Sequence, residues 1–297
     1  MLTGLFVAAR IIANPVSNVF QKRLVQNSAN PIFIIGVTHA WLALAVLPWM
    51  LGMGIGELSA AFWGNMVLCA LLAVASNVTL VHALKSTDLS VLGPVNSYKA
   101  VISLVLGFFL IGEIPTAMGL TGVLLILVGS SLIVDRLPHQ PRTHAWLQFF
   151  RERGVQLRFA ALALSATEAV FLKKALLLSS PVTTFIMWCV LGLPLAALAM
   201  AIVPGGGLRQ EIRRFRMHWC TYLWLALTTG AMQLTTLLTF GKLQVGYSLA
   251  LFQLSTLLSV LLGHHFFQEG HLRRRLLSSL VMVAGALLIV LFGHRTP

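Results

Sequence analysis

The chain has 297 residues, of which 58% are hydrophobic and 10% are charged, and its mean hydropathy is +0.87. A soluble protein carries about 25% charged residues, so this composition excludes a water-soluble globular domain. The net charge of +13 would suggest nucleic-acid binding in a soluble chain, but here the cations flank apolar segments, so we expect a lipid bilayer and no nucleic-acid partner.

Ten apolar segments follow one another along the chain, each long enough to cross a hydrocarbon core that needs about 20 helical residues. They lack the period-2 alternation of strands, so helices rather than a β-barrel are predicted. The connections are short except for 136–157 and 204–218, which leaves no soluble catalytic domain. The predicted spans are 3–24, 31–52, 61–83, 89–111, 117–135, 158–178, 182–203, 219–240, 247–267 and 276–293.

Lysine and arginine residues are distributed unequally between the predicted loops. Loops after even-numbered spans and the C-terminal tail hold only Lys173, Lys174, Lys242 and Arg295. By the positive-inside rule, the loops after odd-numbered spans, which hold more lysine and arginine, face the cytoplasm, and both termini face away from it. The loops after odd-numbered spans hold 15 basic residues: Lys22, Arg23, Lys85, Arg136, Arg142, Arg151, Arg153, Arg158, Arg209, Arg213, Arg214, Arg216, Arg273, Arg274 and Arg275.

The two halves of the chain resemble each other. "GFFLIGE" at 107–113 and "GHHFFQE" at 263–269 lie 156 residues apart, and "VFQKRL" at 19–24 matches "VFLKKA" at 170–175. Five spans per copy is an odd number, so the second copy enters the membrane from the opposite side. We predict an all-α integral membrane protein of ten transmembrane helices in two inverted five-helix repeats, 1–135 and 158–297, joined by a loop at 136–157.

Small residues recur in the fifth and tenth predicted spans. Gly122 and Gly129 match Ser278 and Gly285 at the same spacing of seven residues. Small residues allow helix backbones to approach each other in a membrane. We expect these two spans to pack closely.

The repeats carry motifs of a known family: Lys22 and Lys173 or Lys174 near the ends of spans 1 and 6, the stretch "ALKSTDLSVLGPVNSYKAVISLVLGFFLIGE" at 83–113, and its partner "GKLQVGYSLALFQLSTLLSVLLGHHFFQE" at 241–269. On these residues the whole chain resembles the EamA family of the drug/metabolite transporter superfamily. One difference is that "GMGIGELSAAFWG", between spans 2 and 3, has none of the basic residues that many members carry there. The charge-based orientation therefore opposes the family's usual termini-inside orientation.

The resemblance implies a secondary active transporter, and most simply an exporter, that moves small metabolites by alternating access. Multidrug or organic-cation export is the alternative within the family. We expect a monomeric multi-pass protein of a bacterial inner (plasma) membrane, with protons as the coupling ion. A membrane-embedded enzyme is disfavoured, because no two of the chain's eight acidic residues lie within ten residues of each other and no metal motif occurs. A channel is disfavoured, because it would more simply be built as a symmetric oligomer than as an inverted-repeat monomer. No nucleotide motif occurs, so transport driven by ATP is not expected. We expect no catalysis, cofactor or metal.

Polar residues inside the spans are candidates for a substrate site. Asn96, Lys99 and Ser103 share one helix face, and serines occupy the matching positions of span 9. Ser76 and Thr79 of span 3 likewise match polar residues of span 8. Arg10, Lys99 and Glu168 are ionisable within spans, which is costly unless they face a cavity or a partner. The candidates are Arg10, Ser76, Thr79, Asn96, Lys99, Ser103, Glu168, Gln233, Thr236, Ser255 and Ser259.

Two interpretations of these residues stay open at this stage. Serine and threonine stripes also join membrane helices, and Glu168 could form a structural ion pair with Lys99 or Arg10. If the residues line a cavity, Lys99 and Arg10 suit a carboxylate or phosphate, while Glu168 suits an amine or a proton. An amino-acid-like substrate would satisfy both.

Overall fold

The computed structural model describes residues 2–52, 58–102, 114–133, 142–202, 207–243, 245–292 and 294–295. Its secondary structure is helical apart from a two-residue antiparallel ladder between β1, Ile114–Pro115, and β2, His294–Arg295. The helices are α1 Leu2–Gln26, α2 Pro31–Leu51, α3 Ala60–Ser86, α4 Leu89–Val95, α5 Ala117–Ile133, α6 Arg142–Arg151, α7 Arg153–Leu177, α8 Pro181–Ile202, α9 Leu208–Phe240, α10 Val245–Phe252, α11 Ser255–Phe267 and α12 Leu272–Phe292.

Seven helices in the described part of the chain are long and apolar enough to cross a membrane: α1, α2, α3, α7, α8, α9 and α12. Two shorter apolar stretches, Ala117–Leu132 and Ser255–Phe267, accompany them. The chain is therefore a multi-pass membrane protein. Ten complete spans are not established, because the predicted spans 89–111 and 247–267 are not continuous helices among the described residues.

The two interrupted spans are broken in the same way. After α4, the amides of Asn96 and Ser97 bond to carbonyls three residues earlier, and helix resumes at 98–102. Between α10 and α11, Leu254 and Thr256 make bonds of the same spacing. The breaks contact each other, since Asn96 Nδ2 donates to Gln253 Oε1 at 3.1 Å. Hydropathy alone misses such breaks, because the flanking residues remain apolar.

Two segments predicted as connections are largely helical. The predicted loop 136–157 contains α6 and the start of α7, and residues 134–141 lie outside the described part. Arg158, which the charge count assigns to this loop, therefore lies inside α7. In the second segment α9 begins at Leu208, 11 residues before the predicted 219, and bends at His218, whose φ and ψ are −120° and 22°. The basic residues near 209–216 thus belong to a helix.

Local sequence explains several helix starts. At α2, the Asn30 side chain accepts a hydrogen bond from the Ile32 amide at 2.8 Å, and proline follows at the first helical position. At α3, Ser59 Oγ accepts from the Phe62 amide at 3.2 Å. These caps satisfy amides that have no partner within the helix.

The helices pack in pairs that join the two halves of the chain. α1 packs on α9, α3 on α7, α2 on α8, and α5 on α12. Large buried side chains fill the spaces between them, including Phe62, Trp188, Tyr222 and Phe240. These contacts bring the polar faces of α1, α3, α7 and α9 together at the centre of the protein.

Close packing of α5 on α12 is confirmed. A Cβ atom added at Gly122 would lie 2.5 Å from the Gly285 carbonyl oxygen, and one added at Gly285 would lie 2.5 Å from the Gly122 carbonyl oxygen. Two helical turns further along α5, the Gly129 carbonyl accepts a hydrogen bond from Ser278 Oγ of α12 at 2.6 Å. Only glycine allows the backbones this approach.

We expect Gly122→Ala to lower the melting temperature, because its methyl group would collide with a backbone atom that cannot move alone. Gly64→Ala is the matched control. Gly64 is an exposed helical glycine with open space around it. Alanine there should leave the melting temperature unchanged or raise it, because alanine is more favourable than glycine within a helix by about 1 kcal/mol. Equal melting temperatures for the two variants would contradict the close contact.

Candidate functional site

A central cavity of about 130 Å³ lies between helices of both halves. Its walls come from α1, α3, the breaks after α4 and α10, α7 and α9, with Trp188 of α8. Eight of the residues predicted from the sequence line it: Arg10, Ser76, Asn96, Lys99, Glu168, Gln233, Thr236 and Ser255.

Three predicted residues are not on this wall. Ser259 lines a small neighbouring cavity that shares Asn96, Arg158 and Ser255 with the central one. Thr79 donates a hydrogen bond to the Ala75 carbonyl of its own helix at 2.7 Å, the local bonding that threonine commonly makes in a helix. Ser103 lies outside the described residues.

Sequence reasoning missed two groups of wall residues. Arg158 lines the cavity, whereas the sequence places it among the loop cations at the start of the predicted span 158–178. The second group is a polar stripe on α1, formed by Asn14, Asn18 and Gln21. These three positions follow Arg10 at helical spacing, so the same face-by-face test that found Asn96 and Lys99 would have found them.

Arg10 is fixed at one part of the wall by α9 and α10. Its Nε donates to Thr236 Oγ1 at 2.7 Å, and its guanidinium carbon lies 4.9 Å from the centre of the Phe252 ring. The Nη1 atom is buried and contacts no acceptor among the described residues. Gln233 Nε2 is in the same situation. Two buried donors therefore remain available on this side of the cavity.

Arg158 is fixed at a different part of the wall, beside the break after α4. The side chain is 8% exposed. Its Nε donates to the Leu92 carbonyl at 3.3 Å, and its Nη2 donates to Asn96 Oδ1 at 2.9 Å. Pro94 leaves carbonyls of the preceding turn without a helical partner, and Arg158 bonds to a carbonyl in this region. The broken helix thus holds a cation at the cavity.

Glu168 and Lys99 do not form an ion pair with each other in the described part of the chain. Glu168 Oε1 accepts a hydrogen bond from Trp188 Nε1 at 3.4 Å. Lys99 lies within electrostatic range of Glu168, Arg10 and Arg158, but among the described residues its Nζ has no hydrogen-bond acceptor. The described residues of the cavity wall therefore include three cationic side chains and one carboxylate.

A second group of charges lies where α1 leaves the cavity, one residue beyond Gln21. Lys22 Nζ is 2.6 Å from Glu269 Oε1 and 3.8 Å from Asp88 Oδ1. Arg275 Nη2 is 2.9 Å from Asp88 Oδ2, and Arg275 Nη1 is 3.6 Å from Glu269 Oε2. We call Lys22, Asp88, Glu269 and Arg275 the ionic cluster. It has equal numbers of cations and anions and joins the two halves of the chain.

Glu269 is the most thoroughly bonded member of the ionic cluster. Its carboxylate also accepts the backbone amides of Leu89 at 2.9 Å and Ser90 at 2.7 Å, which are the first amides of α4. Burial alone would raise the pKa of this carboxyl, but the hydrogen bonds from Lys22 and Ser90 outweigh it and hold the pKa below its ordinary value. Glu269 is therefore an anion at neutral pH.

Comparisons with known proteins identify the family. A search of curated protein sequences gives no match. Among solved structures 27 chains match; one crystal structure aligns with 96% of this chain and 95% of its own length, at a TM-score of 0.57 and 14% identity. At that identity the similarity shows the fold alone. The profile described as the EamA-like transporter family matches residues 4–135. The family resemblance is thus confirmed over residues 4–135, which match the EamA-like transporter family of the drug/metabolite transporter superfamily.

Proposed function

We propose that the protein is a secondary active transporter that exports a small carboxylate-bearing metabolite by alternating access. The observation that carries this proposal is the central cavity itself, an internal polar space walled by both halves of a membrane protein and containing Arg10, Lys99, Arg158 and Glu168. Charged groups at membrane depth are costly unless they serve a pathway or a partner. The family membership supports transport of a small molecule.

Reciprocal contacts support the proposal of two inverted repeats, 1–135 and 158–297. In a twofold arrangement, a contact between one residue and the partner of another occurs twice. Gly122 packs against Gly285, and the equivalent pair Gly129 and Ser278 is also in contact. Asn96 and Gln253, which are 157 residues apart, bond to each other. The other glutamate of the repeated motif, Glu113, lies outside the described residues.

The ionic cluster supports alternation between two states. It lies beyond the cavity at the end where α1 terminates, while Lys173, the counterpart of Lys22, donates to the Phe240 carbonyl at 2.5 Å instead. The two ends are therefore held by different interactions. We propose that separation of the cluster opens this end, which faces the cytoplasm if the loop charges set the orientation.

The charge of the cavity favours a carboxylate over the organic-cation alternative. Three cationic side chains would repel a cationic drug, and a single carboxylate, Glu168, faces them. Glu168 is the residue that we propose for proton coupling or for an ammonium group of the substrate, because no other acidic residue lines the cavity in the described part of the chain. We propose a monomer in a bacterial inner membrane as the working form.

Thiol accessibility tests alternating access without knowledge of the substrate. Asn18 is buried at the cavity wall, and Cys69 and Cys189 are buried elsewhere, whereas Cys220 is exposed. In a Cys220→Ser background, we expect Asn18→Cys to react with a membrane-impermeant maleimide added to either face of reconstituted vesicles. The Cys220→Ser parent is the control and should stay unlabelled. Labelling from one face alone would contradict alternating access, and steady ion conductance in a planar bilayer would indicate a channel.

A further inference from the structure

The charges of the central cavity do not balance for a zwitterion or a monoanion. Arg10 and Arg158 are permanently charged because a guanidinium is not deprotonated in proteins, and Lys99 adds a third cationic group. Among the described residues Glu168 supplies one opposing charge, which leaves a formal excess of two positive charges (three cations minus one carboxylate). An excess of this kind within a membrane protein is unfavourable until an anion compensates it.

The two arginines are fixed by different partners. Arg10 is fixed by Thr236 and Phe252, whereas Arg158 is fixed by Leu92 and Asn96 of the α4 break. Neither arginine is neutralised by a carboxylate within hydrogen-bond distance among the described residues. The orphaned donors Arg10 Nη1 and Gln233 Nε2 lie on the first side. The structure therefore provides two separate places for an anionic group.

The polar wall of the cavity extends along α1. Arg10 and Gln21 both line it and are 11 residues apart on α1, which corresponds to roughly 16 Å of helix. A four-carbon dicarboxylate is shorter than this. Such a molecule fits within this length of the wall, on which Arg10 lies, and Arg158 lines the same cavity.

We propose that the substrate is an organic dianion with two separate carboxylate groups, one bound at Arg158 and the other at Arg10, with Lys99 of the same cavity as additional compensation. This inference rests on the proposed transport function and narrows its substrate class. It differs from the amino-acid-like substrate expected from the sequence, because Arg158 was not recognised there as part of the site.

A matched series of probes tests the charge requirement on the full-length protein in nanodiscs. Succinate carries two carboxylates, succinamate replaces one of them with an amide of similar size, and alanine is a zwitterion. We expect succinate to raise the melting temperature most and to bind at least about tenfold more tightly than succinamate in calorimetry, the difference of one charge-assisted contact. Equal binding of succinate and succinamate, stronger binding of alanine, or no binding of succinate at millimolar concentration would overturn the proposal.

Variants assign the selectivity to the two arginines. Arg158→Gln should reduce the preference for succinate over succinamate to near unity, and Arg158→Lys should restore part of it. Because Arg158 also bonds to Leu92 and Asn96, Arg10→Gln provides an independent test if Arg158→Gln does not fold. Arg23→Gln, an exposed arginine outside the cavity, is the control and should keep the wild-type preference. An unchanged preference in Arg158→Gln or Arg10→Gln would overturn the assignment.

The test of the dianionic substrate and the test of alternating access can fail independently. Two-sided labelling of Asn18→Cys with no preference for succinate would leave a transporter of a different substrate class. One-sided labelling together with a preference for succinate would leave a dianion-binding membrane protein that does not alternate.

Discussion

Glu269→Gln should lower the free energy of unfolding by about 3–5 kcal/mol, the cost of removing one partner from a buried ion pair. The substitution keeps the shape of the side chain but leaves Lys22 and Arg275 with Asp88 as the only carboxylate of the ionic cluster. The side chains of Lys22 and Arg275 are 6% and 5% exposed, whereas that of Asp88 is 46% exposed. The two buried cations would then share one mostly hydrated anion. Unfolding in a denaturing detergent series would measure the loss.

Two further variants show whether the loss comes from charge. Lys22→Gln/Glu269→Gln removes one cation and one anion, leaves Arg275 paired with Asp88, and should recover part of the stability. Glu152→Gln is the matched control, because Glu152 is exposed and accepts a single neutral hydrogen bond from Thr87 Oγ1 at 2.6 Å. A loss in Glu152→Gln as large as that in Glu269→Gln would show that the ionic cluster has no special role.

The Glu269 carboxylate also makes the stability of the protein depend on pH. The pKa of Glu269 is lower in the folded protein than in the unfolded chain, where a glutamate has a pKa of about 4.3. Its stabilisation is therefore complete above about pH 4.3 and is lost as the pH falls through the lower folded value. The neighbouring ionic groups are Lys22, Asp88 and Arg275, and His264 Nδ1 lies 2.8 Å from the Glu269 carbonyl oxygen. Melting of the wild type should fall with acid more steeply than that of Glu269→Gln.

Hydropathy was sufficient to predict the uninterrupted helices but not the broken ones. The seven long apolar helices lie within a few residues of predicted spans except for the early start of α9, because each needs an apolar length of about 20 residues whatever its neighbours are. The breaks at Asn96 and Gln253 depend on a contact between residues 157 apart in sequence. Such a bond leaves no local signal in an apolar segment.

The sequence predicts those site residues whose charge stands out within an apolar segment, where burial of a charge in the membrane is unfavourable. Lys99 and Glu168 stand alone in apolar surroundings, so their placement at the cavity followed from the cost of a charge in the membrane. Arg158 stands near other arginines at the predicted edge of a span, which made it resemble a topological charge. Its distinction from Arg153, an exposed residue five positions earlier on the same helix, comes from packing of α7 against α4 and α3.

Charge distribution in the ionic cluster and in the cavity points to different roles. The cluster is neutral as a whole, and each of its cations lies within 3 Å of one of its carboxylates, so its charges are compensated without a ligand. The cavity has excess positive charge and donors without partners. An anion entering the cavity would compensate the cations there without disturbing the cluster directly. α1 links the two directly, because it carries Arg10 at the cavity and Lys22 in the cluster; α4 forms a second link, because it begins one residue after Asp88 and ends at the break that carries Asn96.

Lys99→Gln should abolish most substrate affinity while leaving the fold intact. Lys99 is the cavity cation whose amino group has no hydrogen-bond acceptor among the described residues, so its removal breaks no observed bond, and a neutral amide is less costly to hold in the membrane. We expect the affinity for whichever of succinate, succinamate and alanine binds the wild type to fall about tenfold or more. Lys174→Gln, an exposed lysine stacked on Phe171, should retain wild-type affinity.

The melting temperature of Lys99→Gln decides between the two interpretations of this lysine. If Lys99 recognises the substrate, the temperature stays the same or rises, since no carboxylate loses a bonded partner: Glu168 keeps its hydrogen bond from Trp188. If Lys99 instead stabilises Glu168 as its counter-charge, the temperature falls, and Lys99→Gln/Glu168→Gln recovers it. Wild-type affinity together with a wild-type melting temperature would remove Lys99 from the site, and the excess positive charge would then have to be assigned to Arg10 and Arg158 alone.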